Sequence, residues 1–471
     1  MVRRPVLLFA LALTTTWALE RAPAADRRPN IVLLVADDQR PDTIAALGNP
    51  VIQTPSLDRL VQQGTVVKGA TCANPICTPS RAEILTGCSG FRMGVLDFGG
   101  TIDRSVPSMA RWLQTAGYST WYVGKWHNSG RPTDHGYQAS RGLFGSGGGK
   151  YAIPQTDYAN REVTGYRGWI FQDDERNLFP EQGVGLTPNI SSAFADAAIS
   201  VISEQAGADR PFFLHVNFTA PHDPLMLPPG WEMTYTPEMV QLPPNFLPEH
   251  PFDHGNLKGR DELLFQWPRT HEETRRELAA YYAVISHLDQ QIGRILDSLE
   301  QTQSDQNTIV VFTSDHGLAI GSHGLRGKQN MYEHTIGVPL ILRGPGIRPH
   351  LQLDADCYLR DLFPTLCELA GVTSPESQID GRSLVPVLTG DAPRIHDFIT
   401  GYFRDSQRMI RSDGWKYIRY PVAKREQLFN LQTDPYELSD LSSSADHASI
   451  RKRLSGRLDD WLDQWTTPVS N

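Results

Sequence analysis

Five short apolar runs, at residues 31–35, 120–123, 212–218, 308–312 and 339–342, are continuous rather than alternating, as strands covered on both faces require. Between them the apolar positions shift to a helical period. Leu278, Tyr281, Tyr282, Ile285, Leu288, Ile292, Ile295, Leu296 and Leu299 fall on one face of a long helix. Alternation of this kind predicts an α/β domain on a large mixed, mostly parallel sheet flanked by helices, running to about residue 390. After that the texture changes. Runs 399–403, 407–411, 415–419 and 427–430, separated by turn residues such as Ser412-Asp413-Gly414, read as an antiparallel meander. Ile450, Leu454, Leu458, Trp461, Leu462 and Trp465 then form one stripe of a terminal helix. The expectation is a smaller C-terminal α+β subdomain over 391–471, docked on a larger domain over 26–390. The Gly-rich stretch 142–149 and the Pro-rich stretch 222–267 read as surface loops.

Residues 1–25 have the pattern of a secretory signal peptide. Arg3 and Arg4 precede an apolar run from 6 to 19, and Ala22-Pro23-Ala24-Ala25 supplies small residues for cleavage. The run is shorter than the ~20 apolar residues of a membrane span, and no later stretch approaches that length, so an exported chain without a membrane anchor is expected, periplasmic or extracellular. Composition agrees with a folded protein: 471 residues, 40% apolar and 21% charged. Its formal net charge of −9 disfavours nucleic acid and anionic membranes as partners. An anionic substrate would have to meet a local basic cluster. Five cysteines are too few for a disulfide scaffold, and Cys72, Cys88, Cys357 and Cys367 are either paired or buried.

Ligands of open α/β sheets bind beyond the carboxyl ends of the strands. Here those ends carry a consistent chemistry. Asp37 and Asp38 follow the first run, Lys125 and His127 the second, His222 and Asp223 the third, and Asp315 and His316 the fourth. Acids gathered so closely repel one another unless a cation lies between them. Asp37, Asp38 and Asp315 favour a hard ion, calcium or magnesium, while His316 leaves its identity open. Taken singly, an Asp after a strand is more often a cap or turn former. A second signal is Cys77-Thr78-Pro79-Ser80-Arg81. Thr78 reads as an N-cap, Pro79 as the first helical residue and Gly87 as the stop, which sets Cys77 just before a helix N-terminus. Such a place lowers a thiol pKa and favours anions.

That pentapeptide, with Leu85-Thr86-Gly87 downstream, resembles the C-x-P-S-R signature of the type I sulfatases of the alkaline phosphatase superfamily. Residues 30–38, Thr54-Pro55-Ser56-Leu57-Asp58, Gly124-Lys125-Trp126-His127, Ala220-Pro221-His222, Thr313-Ser314-Asp315-His316-Gly317, Gly327-Lys328 and 428–435 resemble the same family in order and spacing, from 29 to about 465. The resemblance implies an alkaline-phosphatase-like fold and a sulfatase acting on a sulfate ester, with a sulfated carbohydrate as the expected substrate. It further implies that Cys77 is converted to formylglycine by a maturation enzyme, and that Asp37, Asp38, Asp315, His316 and the residue at 77 hold calcium or magnesium. Arg81 would hold the hydrated aldehyde, Lys125 and Lys328 would grip the sulfate, and His127 and His222 would move protons. In this scheme one hydroxyl of the hydrate attacks sulfur to give a covalent sulfo-enzyme, His222 with Lys328 protonates the leaving oxygen, and His127 deprotonates the second hydroxyl to expel sulfate.

Three rival readings share these residues: a phosphonate monoester or phosphodiester hydrolase, a sulfamidase, and a glycan-binding protein whose Cys77 stays unconverted. Specificity is expected from residues 150–180, 222–267 and the smaller domain, where Tyr151, Tyr158, Trp169 and Trp231 either stack on sugars or simply pack. His215, His323 and His334 are either structural or substrate contacts.

Overall fold

A computed structural model describes residues 28–162 and 164–466; the expected leader, 1–25, lies outside them. Ten strands form one sheet: β1 (Asn30–Ala36), β2 (Thr65–Thr71), β3 (Ser119–Lys125), β4 (Ala139–Ser146), β5 (Trp169–Gln172), β6 (Leu178–Val184), β7 (Phe212–Asn217), β8 (Thr308–Ser314), β9 (Leu340–Arg343) and β10 (Leu351–Tyr358). Their order is β10-β2-β9-β8-β1-β7-β3-β4-β5-β6. The central strands β8, β1, β7, β3 and β4 are all parallel, and the antiparallel pairings lie outside them.

The unbroken apolar run of β1 divides by parity. Val32, Leu34 and Ala36 enter a core shared with the helices Ile190–Gln205 and His271–Gln301. Ile31, Leu33 and Val35 face a second core that includes Ala82, Ile84 and Leu85 of the helix Cys77–Thr86. Every side chain of the run is buried because both faces are covered. A second, antiparallel sheet orders β11 (Ile399–Phe403), β12 (Gln407–Ser412), β13 (Trp415–Tyr420) and β14 (Arg425–Asn430). Leu454, Leu458 and Trp461 of the terminal helix join it in a third core, with Ile76, Leu325 and Met331 from the segments beside the large sheet. That core fixes the smaller sheet next to residue 77.

Several local expectations need correction. The Gly-rich stretch starts as strand rather than loop, because β4 runs to Ser146 and is hydrogen-bonded to β3 and β5 on either side, enough to offset weak glycine propensity. Close packing explains Gly145: a Cβ there would meet the Gln172 amide at 2.7 Å. Residues 222–267 contain little regular structure, but Leu225, Tyr235, Val240, Phe265 and Glu262 are buried, so the segment is packed rather than superficial. The helix after position 76 begins at Cys77, not after Thr78; its N-cap is extended Ile76, with no side-chain cap. All five cysteines are buried and free.

Candidate active site

Parallel pairing puts the strand ends side by side. In register, Ala36 lies opposite Ser314, and Val35 and Gly124 both lie opposite Asn217. The next residues on β1 and β8 are therefore neighbours although 277 positions separate them: Asp38 N donates to Asp315 Oδ1 at 3.2 Å. Asp38 has φ 69°, a left-handed conformation that Asp tolerates better than most residues and that is often found at functional sites. The helix Cys77–Thr86 meets this edge with its first residue, anchored by the Ser80 hydroxyl donating to Asp315 O at 2.6 Å.

Cys77 Sγ lies 3.5 Å from Asp37 Oδ1, 3.3 Å from His316 Nε2 and 3.3 Å from Lys328 Nζ. Lys328 also donates to Asp38 Oδ1 at 2.8 Å, and Lys125 donates to Asp37 Oδ2. Arg81 reaches Asp315 at 3.0 Å, Asp37 at 3.5 Å and Asn217 Oδ1 at 2.6 Å. His222 Nε2 is 3.9 Å from Asp38 Oδ2, and its Nδ1 is held against the Asp223 backbone carbonyl. Thus all ten residues singled out from the sequence as catalytic or metal-binding are gathered into one group, with His127 hydrogen-bonded to the Cys77 side chain. His127 lines the same cleft, its ring 5.1 Å from Trp169 and 5.9 Å from Phe98.

Three carboxylates with no solvent exposure thus face three fixed cations. Burial pushes Asp37 upward, as does Cys77, but Lys125, Arg81 and His222 outweigh both and hold it below the usual carboxylate range. Asp315 is pushed up to about 7, chiefly by burial and further by Asp37, against the pull of Arg81. Burial likewise opposes a Cys77 thiolate, yet Lys125, Lys328 and His316 hold the thiol well below its ordinary value. The two flanking histidines diverge. Burial and Lys125 push His127 down to about 4, whereas Asp38 overcomes burial at His222 and raises it. A neutral ring on one side and a charged ring on the other are the states required of a base and an acid.

Whether a divalent cation fits can be judged from the donors. Oxygen, nitrogen and sulfur atoms of Asp37, Cys77, Asp315 and His316 lie within 4.8 Å of one another, as do those of Asp37, Asp38, Cys77 and His222. Asp38 Oδ2 is buried without a hydrogen-bond partner, an open acceptor that a cation would satisfy. This oxygen-rich set suits a hard cation.

Other contacts were not legible beforehand. The Tyr166 hydroxyl donates to Asp37 Oδ2 at 2.6 Å from a loop without any motif, and its ring packs edge-on against His222 at 4.9 Å. Asn217 ends β7 and was open to the same strand-end reasoning as its neighbours. Arg326 joins Asp223 at 3.3 Å to Glu277 at 2.7 Å, a buried network behind His222. His215 instead serves structure, paired with the Tyr137 hydroxyl at 2.7 Å and pushed by burial to about 3. His323 stacks on Tyr332 at 3.9 Å, and His334 lies beside them, in the packing under the second sheet. Of the four aromatic residues considered for sugar stacking, Trp169 lines the cleft; Tyr158 binds Glu277 and Trp231 packs on His287.

A mixed sheet whose parallel strand ends bring acids and lysines to a helix-borne side chain defines a hydrolase of the alkaline-phosphatase-like class. Within that class the chain belongs to the sulfatase family, the sulfuric ester hydrolases: the Sulfatase family profile matches residues 29–372. The profile N-sulphoglucosamine sulphohydrolase, C-terminal, matches 321–464. Choline-sulfatase of Rhizobium meliloti (strain 1021) is 30% identical over 441 residues, covering 88% of this chain and 83% of that one. N-acetylglucosamine-6-O-sulfatase of Bacteroides thetaiotaomicron is 26% identical over 509 residues, covering 93% and 87%. The crystal structure of the phosphonate monoester hydrolase of Agrobacterium radiobacter shares the fold, with a TM-score of 0.75 at 22% identity over 93% of this chain and 96% of that one. Among the described residues no helix is long and apolar enough to cross a membrane.

Proposed function

We propose that this sulfatase cleaves a sulfate ester carried by a carbohydrate, with formylglycine at position 77 and calcium bound by Asp37, Asp38, Asp315, His316 and the residue at 77. The observation that carries the reading is the setting of position 77: one side chain meets an acid from near the start of the chain and a histidine and a lysine from 239 and 251 positions downstream, all within 3.3–3.5 Å. When present, the hydrated formylglycine supplies a nucleophilic oxygen and the cation supplies positive charge beside it.

The chain's own groups do the rest. Arg81, locked on Asp315 and Asn217, orients the side chain at 77. Lys125 and Lys328 are ammonium groups set in place before the reaction, where negative charge collects on the equatorial sulfate oxygens, so they stabilise it without reorganising. His222, kept protonated by Asp38, gives its proton to the leaving sugar oxygen, with Lys328 alongside. His127, neutral at physiological pH, takes a proton from the hydroxyl at position 77 so that sulfate departs.

Carbohydrate is favoured over a cationic alcohol by the rim of the cleft, where the half-exposed Arg404 is available to an anionic group. The likeness to an N-acetylglucosamine-6-O-sulfatase over 93% of the chain supports the same choice. Export and maturation by a formylglycine-generating enzyme complete the proposal, as does a domain boundary near 390. The deciding experiment has two parts. Mass spectrometry of the peptide containing position 77, from protein made in its native host, is expected to show the aldehyde mass; an unmodified thiol refutes the mechanism. A sulfate-release screen across defined sulfated sugars, 4-nitrophenyl sulfate and a phosphonate monoester is expected to rank a sugar first.

A further inference from the structure

The cleft over position 77 has a volume of about 390 Å³, within the range of small-molecule sites, and its wall includes two arginines with no task in the hydrolytic chemistry. They are held very differently. Arg260 contacts Asp223, reaches Asp261 at 2.6 Å and donates to Thr164 Oγ1 at 2.9 Å; Asp223 is in turn braced by Arg326. That guanidinium is committed to the fold.

Arg404 is not. It follows β11, at the turn into β12, with φ 44°, so the smaller sheet lends this side chain to a cleft whose chemistry is built on the larger one. Half of the side chain is exposed, and its acidic partner is Asp97, itself 40% exposed. Nε and Nη2 donate to the two carboxylate oxygens at 2.6 and 3.3 Å, while Nη1 has no acceptor among the described residues. Phe98, next to Asp97, is exposed at the same rim and its ring approaches His127 at 5.9 Å. An exposed ion pair of this kind contributes little net stability. A guanidinium fork pairs equally well with two oxygens of a sulfate or carboxylate, so a substrate anion can take the place of Asp97 at small cost.

We propose that Arg404 is a specificity-determining residue that binds a second anionic group, a further sulfate or a uronate carboxylate, on the carbohydrate whose sulfate ester lies over position 77. This rests on the carbohydrate sulfatase reading and adds to it that the substrate is at least dianionic. Asp97 then acts as the group that occupies Arg404 until substrate arrives.

Binding is measured by calorimetry on the whole chain carrying C77S to stop turnover, in calcium and about 0.1 M salt. The probes are N-acetylglucosamine 6-sulfate, glucosamine 2-N,6-O-disulfate and a disaccharide of glucuronate with 6-sulfated N-acetylglucosamine. One of the two dianionic sugars is expected to bind about tenfold more tightly than the monosulfated sugar, the size of one charge-assisted contact. Adding R404A should remove most of that preference, and adding D97N should enlarge it by freeing the guanidinium. Equal affinities for all three sugars, including none measurable, overturn the proposal, as does a preference that survives R404A. Release of sulfate from 4-nitrophenyl sulfate by the unsubstituted chain reports separately on the sulfatase chemistry, so either reading can fail without the other.

Discussion

Replacing Lys328 with alanine tests the electrostatic account most directly. The residue is 1% exposed, and its ammonium lies 2.8 Å from Asp38 Oδ1 and 3.3 Å from the atom at position 77. Burial disfavours the charge, but Asp38 and Cys77 outweigh it and hold the lysine protonated well above its ordinary value, so it is a fixed cation at every working pH. A unit charge about 4 Å from charge developing on sulfate, at an effective dielectric of about 20, is worth about 4 kcal/mol. Loss of one preorganised stabiliser in other enzymes costs about 2.7–4 kcal/mol, so the two routes to the magnitude agree. K328A is therefore expected to lower kcat/KM by about 100- to 1000-fold. Initial rates of sulfate release are the assay, on protein whose mass at position 77 and calcium content match the parent. The variant should also unfold at lower temperature, since Asp38 loses a buried partner, and excess calcium should restore part of that loss. K328R should not recover the rate, because a planar fork does not place its charge where a single ammonium meets both Asp38 and the residue at 77. A loss of less than about tenfold in folded, matured protein would refute the assignment of Lys328 to the transferred group.

Three further outcomes follow from the same geometry. In H222Q the fall in kcat should be at least about tenfold larger for a sugar or alkyl sulfate than for 4-nitrophenyl sulfate, whose leaving group needs no proton; equal losses contradict the acid role. Chelation with EDTA should abolish sulfate release and lower the unfolding temperature, because it returns three buried carboxylates to mutual repulsion; calcium should restore both. Asp289 accepts from the Ser56 and Leu57 amides at 3.0 and 2.7 Å, yet burial pushes it from an ordinary 3.8 up to about 6. Its folded pKa exceeds its unfolded one, so the stability this group contributes is fully present below about pH 4 and is lost as pH rises through 6, up to about 3 kcal/mol. D289N should therefore flatten the urea-unfolding free energy between pH 4 and 6, and an unchanged slope excludes this origin.

Much of the site was legible because strand ends are local events. A continuous apolar run followed at once by Asp37-Asp38 or Asp315-His316 states that a strand stops and that polar groups stand at its carboxyl end. The helix from Cys77 announced itself by Pro79 and Gly87, although its first residue is one position ahead of the expected cap. Tyr166 and Arg404 carry no such mark, since each reaches the cleft from a loop or turn whose local residues say nothing of where it lands. The Gly-rich end of β4 reads as loop for a related reason: ladder hydrogen bonds from β3 and β5 override the weak propensity of glycine.

By itself the order of amino acids marked five of the ten strands of the large sheet and all four of the smaller one, the apolar face of the long helix and the chemical groups that follow the central strands, all properties set within a few residues. Tertiary structure alone decided that β8, β1, β7 and β3 are neighbours and that β9 inserts between β2 and β8. An apolar run demands a partner on each side without naming it. Naming it requires hydrogen bonds between residues as far apart as Val35 and Thr313, and that pairing is what turns the Asp37-Asp38 pair and the distant Asp315-His316 pair into one cation-sized group beside position 77.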